Sequence, residues 1–201
     1  MKTRLSMILL ALSLLSIAAQ DGKVSGINAF SLANISSFDK LSPGQRQHLE
    51  VYRQIKILKV NKQYSPKKCF EPKYKPFVDF LAQLEPMVVN EAQSYETKAQ
   101  QFFAEGRQDL QAVATKRMNM CKTMAQLCKD TKEAYNDEKL HNKLTNYMGV
   151  YSNYEYAMAA EGIKLPKRNW LTPSEADLLI TRLYRNMAAQ KAKPKQQPGA
   201  K

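Results

Sequence analysis

Residues 77–102 read FVDFLAQLEPMVVNEAQSYETKAQQF. Phe77, Leu81, Leu84, Val88, Ala92, Tyr95, Ala99 and Phe102 follow one another in steps of three and four without a miss. Side chains spaced this way lie on one face of a helix of 3.6 residues per turn, so the stretch predicts a long amphipathic helix reaching about Glu105. Pro86 falls inside it, lacks an amide hydrogen, and is expected to kink or split the helix.

Working outward, the same periodicity returns on both sides. Upstream, Leu49, Tyr52, Ile55 and Leu58 follow Ser42-Pro43-Gly44-Gln45, where Ser42 can cap a helix, Pro43 suits its first turn and Gln45 can close a capping box. That helix is expected to run to about Gln63. Pro66, Pro72 and Pro76 then mark Tyr64 to Pro76 as a loop. Downstream, Gly106 is a stop, and Leu110, Val113, Met120, Cys121, Met124, Leu127 and Cys128 mark a helix ending near Tyr135. Leu140, Leu144, Tyr147, Tyr151, Tyr154 and Met158 form a further seam closed by Gly162 and Pro166. Thr172-Pro173-Ser174-Glu175 repeats the capping signature ahead of Leu179, Leu183 and Met187. No run alternates with period two. The expected architecture is all-α: an antiparallel bundle of about five helices, three of them long, over residues 42–190.

Ahead of this domain, Lys2 and Arg4 precede a 13-residue apolar run from Met7 to Ala19. Such a run is short of the roughly 20 residues that span a bilayer. With Ser16-Ile17-Ala18 at its end placing small residues at the −3 and −1 positions of a cleavage site, residues 1–18 read as a secretory signal peptide. Residues 19–41 carry single apolar residues about every third position and read as a leader packed on the body, with a glycosylation sequon at Asn34-Ile35-Ser36. Residues 191–201 read as a disordered basic tail. No later stretch is apolar enough to span a membrane. The protein is thus expected to be exported, to a periplasmic or an extracellular space.

The chain has 201 residues, with 31 Lys+Arg against 18 Asp+Glu. Seven lysines, Lys56, Lys59, Lys62, Lys67, Lys68, Lys73 and Lys75, stand against Glu71 alone between residues 56 and 75. They interleave with Tyr64, Phe70 and Tyr74. In an exported chain such a run meets anionic head groups, cell-wall polymers or acidic protein surfaces rather than nucleic acid, or else serves as a solvated face. Lysine in place of arginine favours diffuse attraction over bidentate recognition. Tyr147, Tyr151 and Tyr154 form an aromatic stripe that serves either as core or as a face for a partner helix. Met118, Met120, Met124 and Met148 suit both uses.

Catalytic patterns are sparse. Glu138 and His141 make one Glu-x-x-His, which carboxylate-bridged di-iron bundles use twice, and His48 has only Gln45 three positions before it. There is no Gly-x-Ser-x-Gly, no His-Glu-x-x-His and no Gly-rich phosphate loop. The reading is a non-enzyme without metal or cofactor, a converging pair of carboxylates being the enzymatic alternative. Cys121 and Cys128 lie seven residues apart on one helix, a rise of about 10 Å that no disulfide bridges. Cys69, on the expected loop, can pair with either of them.

Leu41-Ser42-Pro43-Gly44-Gln45 resembles the Leu-Thr-x-x-Gln motif of the Spy/CpxP periplasmic chaperones, and Leu171-Thr172-Pro173-Ser174-Glu175 resembles a second copy near the C-terminus. Ser42 stands for Thr, Glu175 for Gln, and the middle of this chain is longer. The resemblance implies an exported helical chaperone. The residues themselves favour an exported, non-enzymatic helical protein that binds another macromolecule, a protein or an anionic envelope polymer, as an accessory subunit of an envelope or secretion assembly. The sequence leaves oligomeric state open.

Overall fold

A computed structural model describes residues 38–192. The residues read as a signal peptide, most of those read as a leader with its sequon, and the chain from residue 193 lie outside the described residues. Within them the chain is all-α. A 3-10 turn (Phe38–Lys40) leads into α1 (Pro43–Val60), α2 (Pro66–Ala104) and α3 (Gln108–Asn136). A second 3-10 turn (Glu138–Lys143) precedes α4 (Leu144–Ala160), and α5 (Pro173–Ala192) follows. Among the described residues there is no strand, and no helix is long and apolar enough to cross a membrane.

The segment 64–76, expected as a loop, is instead the start of α2. Ser65 is extended at the N-cap and Pro66 occupies the first turn, where its missing N–H is no loss. Pro72, Pro76 and Pro86 then lie inside the 39-residue helix, which passes Pro86 without splitting. An interior proline costs about 3 kcal/mol in an isolated helix. Here the face bearing Cys69, Phe77, Phe80, Leu81, Leu84 and Val88 is buried, and tertiary packing of that face outweighs local propensity.

α2 pairs along its length with α3. Glu71 accepts a hydrogen bond from Tyr135, while Glu96 meets Lys122 and the Arg117 guanidinium lies over Tyr95. Residue numbers therefore rise along one helix as they fall along the other. α4 adds Met148, Tyr151 and Met158 to this pair, and Trp170 closes the core from the connection before α5. Four rings meet there. Phe77 and Trp170 have centroids 4.5 Å apart, Tyr151 and Trp170 5.3 Å, and Phe80 and Tyr151 5.4 Å.

Local chemistry ends the helices consistently. α1, α2 and α4 each close with paired backbone bonds of the Schellman kind, with Lys62, Gly106 and Gly162 in the left-handed conformation. Glycine adopts φ of 70° and 77° freely; Lys62, at 56°, does so with a steric penalty.

Both expected capping boxes form. The Gln45 N–H donates to Ser42 Oγ while Ser42 N–H donates to Gln45 Oε1, and Glu175 and Thr172 exchange the same pair of bonds. The structure sets the two helix starts against each other. A β-carbon on Gly44 would stand 2.8 Å from the Asn169 carbonyl oxygen, a backbone atom with little freedom to move. Gly44→Ala is therefore expected to destabilise by about 1–2 kcal/mol despite alanine's better helix propensity, read by urea denaturation.

Candidate interaction surface

The lysines of segment 56–75 occupy the corner where α1 ends and α2 begins. Lys56 and Lys59 lie on the last turns of α1, Lys62 on the connection, and Lys67 and Lys68 on the first turn of α2. That first turn holds no acid, so the positive end of the helix adds to the lysine charge. The remaining lysines are engaged. Lys75 bonds Asp79 at 2.8 Å, and the Lys73 ammonium lies 4.7 Å from the Tyr74 ring centroid. Lys59 similarly covers Tyr64 at 5.0 Å, and Lys56 approaches Asp177 of α5 at 3.6 Å.

The last contact shows what the sequence alone did not bring together. Residues 51–70 hold six bases and no acid, and residues 178–201 again hold six bases and no acid. The fold lays α5 beside α1, so the end of α1 and the described second half of α5 share a surface. Between them opens a cleft of about 310 Å³ lined by Lys56, Ile57, Val60, Asn61 and Tyr184. Its apolar residues are open to solvent: Val60 is 78% exposed, and Ile57 and Tyr184 are each more than 40% exposed, as is Met187 one turn further along α5. The only signal for it in the sequence was the apolar spacing of Leu183 and Met187 on a helix whose second half has no acid.

A second cleft, between α2 and α3, has a different character. Val89, Ala92, Gln93, Glu96, Lys122, Ala125, Gln126 and Lys129 line it, and its charges answer each other through the Glu96–Lys122 pair at 3.3 Å. Phe103 and Val113 expose apolar surface near the α2–α3 turn, where Glu105, Arg107 and Asp109 mix the signs of charge.

The tyrosine stripe is core at its centre. Tyr151 is fully buried among Phe77, Phe80 and Trp170, so no partner helix reaches it in the folded protein. Tyr147 and Tyr154 are half-buried and packed against the same cluster. The reason is length: α4 must bury one face to join the α2–α3 pair, and this is its most apolar face. The Tyr151 hydroxyl is buried with no protein hydrogen-bond partner. Tyr151→Phe is therefore expected to hold or raise the melting temperature, since no protein hydrogen bond is lost; a clear fall would show that the hydroxyl has a stabilising role.

All three cysteines are buried free thiols, and Cys69 lies in the first turn of α2 rather than on a loop. Burial pushes the Cys121 thiol up to about 11 and the Cys128 thiol up to about 12, with Glu91 and Glu85 adding to it. Both remain protonated at neutral pH and are poor nucleophiles. His141 sits against Phe70, with ring centroids 4.0 Å apart and its Nε2 3.3 Å from the Tyr135 carbonyl oxygen, while Glu138 is exposed. Among the described residues no group of three or more His, Cys, Asp or Glu is placed to hold a metal ion.

His48 carries more structure than its sequence context indicated. Buried on α1, it accepts a hydrogen bond at Nδ1 from Leu171 N–H (3.0 Å), and its Nε2 lies 2.8 Å from the Lys73 carbonyl oxygen. A ring that accepts at Nδ1 and faces an acceptor at Nε2 is the neutral tautomer with its proton on Nε2. It ties α1 to α2 and to the start of α5, and so helps set the α1–α5 cleft.

Comparison of the chain with protein-family models, with curated proteins and with solved structures finds no match.

Proposed function

We propose that this protein is an exported, non-enzymatic helical binder that recognises an anionic macromolecule through the corner formed by α1, the α1–α2 connection and the first turn of α2. The observation that carries this reading is the absence of any acid from residues 51–70 alongside six bases, with Lys59, Lys62, Lys67 and Lys68 exposed at that one corner. Charge gathered in this way raises the local concentration of a polyanion and speeds its association, and both effects weaken with salt. Use as a subunit of an envelope or secretion assembly is the setting such a surface suits. The strings resembling chaperone motifs are both working capping boxes, which accounts for them without a client-binding role.

The test is binding to polyglutamate, followed by fluorescence anisotropy across a salt series. The variant with Lys59, Lys62, Lys67 and Lys68 all replaced by Gln is expected to bind roughly tenfold or more weakly at low salt, with a flatter salt dependence. Equal binding by the variant would reduce this corner to a solvated face. Affinity capture from the native host envelope then separates a dedicated subunit, which recovers one partner at low and moderate salt, from a chaperone, which recovers many unfolded chains.

A further inference from the structure

The structure assigns the cleft between α1 and the second half of α5 as a docking groove for an acidic amphipathic segment of a partner protein, one that presents aliphatic side chains on one face and carboxylates beside them. This rests on the anionic-partner reading above and narrows it to a surface and a class of ligand.

Three observations converge on the cleft. The first is its floor. Ile57, Val60 and Tyr184 line it and stay exposed, with Met187 exposed one turn beyond Tyr184, although α5 is buried through Ala176, Leu179 and Ile180 only one to three turns earlier. α5 thus leaves the body at about Thr181 and carries its apolar stripe onward beside the end of α1. A ligand bearing charge alone, such as a polyanionic polymer, would leave that floor without a partner. A bilayer surface is flat and suits a protruding face, whereas two adjacent helices with a groove between them accept a third element lengthwise.

The second is charge. Lys56 lines the α1 side, Lys59 and Lys62 are the chain neighbours of the lining residues Val60 and Asn61, and Arg185 follows Tyr184 on α5, with Asp177 at the body end beside Lys56. Arg53 is paired with Glu50 and Lys56 with Asp177, so the excess positive charge of the rim rests on Lys59, Lys62 and Arg185. The complementary ligand carries carboxylates flanking its apolar face.

The third is Lys62. It holds a left-handed conformation that glycine meets without strain, next to Asn61 at the mouth of the cleft. A lysine kept there at a conformational penalty places a cation where the groove opens.

The probes are an 18-residue helical peptide with leucines on one face and glutamates on the other, a polyglutamate peptide of equal charge, and phosphatidylglycerol vesicles. The leucine–glutamate peptide is expected to bind about tenfold tighter than polyglutamate. Val60→Gln with Tyr184→Gln should remove that advantage while leaving polyglutamate binding within about twofold. Both positions are exposed, and an unchanged circular dichroism melt verifies that the variant is folded. Lys62→Gly serves as the second variant: it should raise the melting temperature and weaken peptide binding.

Equal affinity for the two peptides, insensitive to Val60 and Tyr184, would overturn the groove and leave the charge-based reading intact. Binding to vesicles but not to the leucine–glutamate peptide would overturn the assignment of a protein segment as occupant. Binding to no anionic probe would overturn both the groove and the reading on which it rests.

Discussion

Replacing Arg168 with methionine is expected to lower the stability of the fold by about 3–5 kcal/mol, measured by urea denaturation at neutral pH. The guanidinium is almost wholly buried and stacks over Trp170, its carbon 5.0 Å from the ring centroid. Two of its nitrogens bond both Glu175 oxygens, at 3.0 and 2.9 Å, and Nε reaches Glu155 at 2.9 Å. Glu175 is as buried as the arginine and also caps α5 through Thr172 N–H at 2.7 Å. Burial opposes the positive charge of Arg168, but the Glu175 and Glu155 carboxylates outweigh it and hold the guanidinium above its ordinary value. Methionine preserves much of the packing and leaves two carboxylates without their cation.

The pH dependence separates lost charge from lost packing. Burial holds the Glu155 carboxyl above the ordinary range, against the pull of Arg168 and with help from Glu175. Without Arg168 that carboxyl rises further. A carboxyl raised above its unfolded value contributes stability at low pH that is lost as pH climbs through the folded value. The deficit of Arg168→Met relative to the parent is therefore expected to shrink as pH falls from about 7 to about 5. A deficit that stays constant would assign the loss to packing around Trp170.

The second large effect belongs to His48. His48→Ala is expected to cost about 2–4 kcal/mol, because it strips partners from the Leu171 N–H and the Lys73 carbonyl together. His48→Gln offers an amide in place of the ring and should recover part of the loss. Burial holds the His48 imidazole below its ordinary value, opposed by the Lys73 carbonyl and reinforced by the Lys73 ammonium. Protonation at Nδ1 would also break the bond from Leu171. With the folded value depressed, the unfolded chain takes up a proton that the folded chain refuses between that value and about 6.5. Stability is then full above about 6.5 and falls as pH drops through this window. The parent protein should show that fall in melting temperature, and His48→Ala should lack its share of it. Identical pH profiles would mean that the ring is not held neutral by the fold.

Both predictions concern residues whose part could not be read along the chain. Arg168 stands in a connecting segment, and nothing near it in sequence marks it for burial. His48 looked unpartnered because its partners lie 25 and 123 positions away. By contrast, the capping boxes at Ser42 and Thr172 and the stop at Gly162 were legible, since each joins residues at most five positions apart. The apolar stripe beginning at Phe77 was legible for a similar reason: helical periodicity is a local property that burial then uses.

The prolines of segment 64–76 and Pro86 mark the limit of local reading. Proline chemistry argues for a loop or a break, and packing of the α2 face against α3 overrides it. The tyrosine stripe shows a different limit. Its spacing was legible, but whether a face looks inward or outward depends on which helix lies next to it, and only the fold placed Tyr151 against Phe77 and Trp170. The lysine run was visible as composition, whereas the apolar floor beside it was not, because Val60 and Tyr184 are 124 positions apart.

By itself, then, the sequence determined the helical class, the helix caps and the concentration of positive charge, all of which follow from the spacing and composition of neighbouring residues. Only the tertiary structure decided which prolines a helix absorbs, which tyrosines are core, and that the end of α1 and the second half of α5 flank one cleft. Burial and electrostatic proximity are properties of pairs of surfaces, and pairs far apart in sequence meet only in the fold.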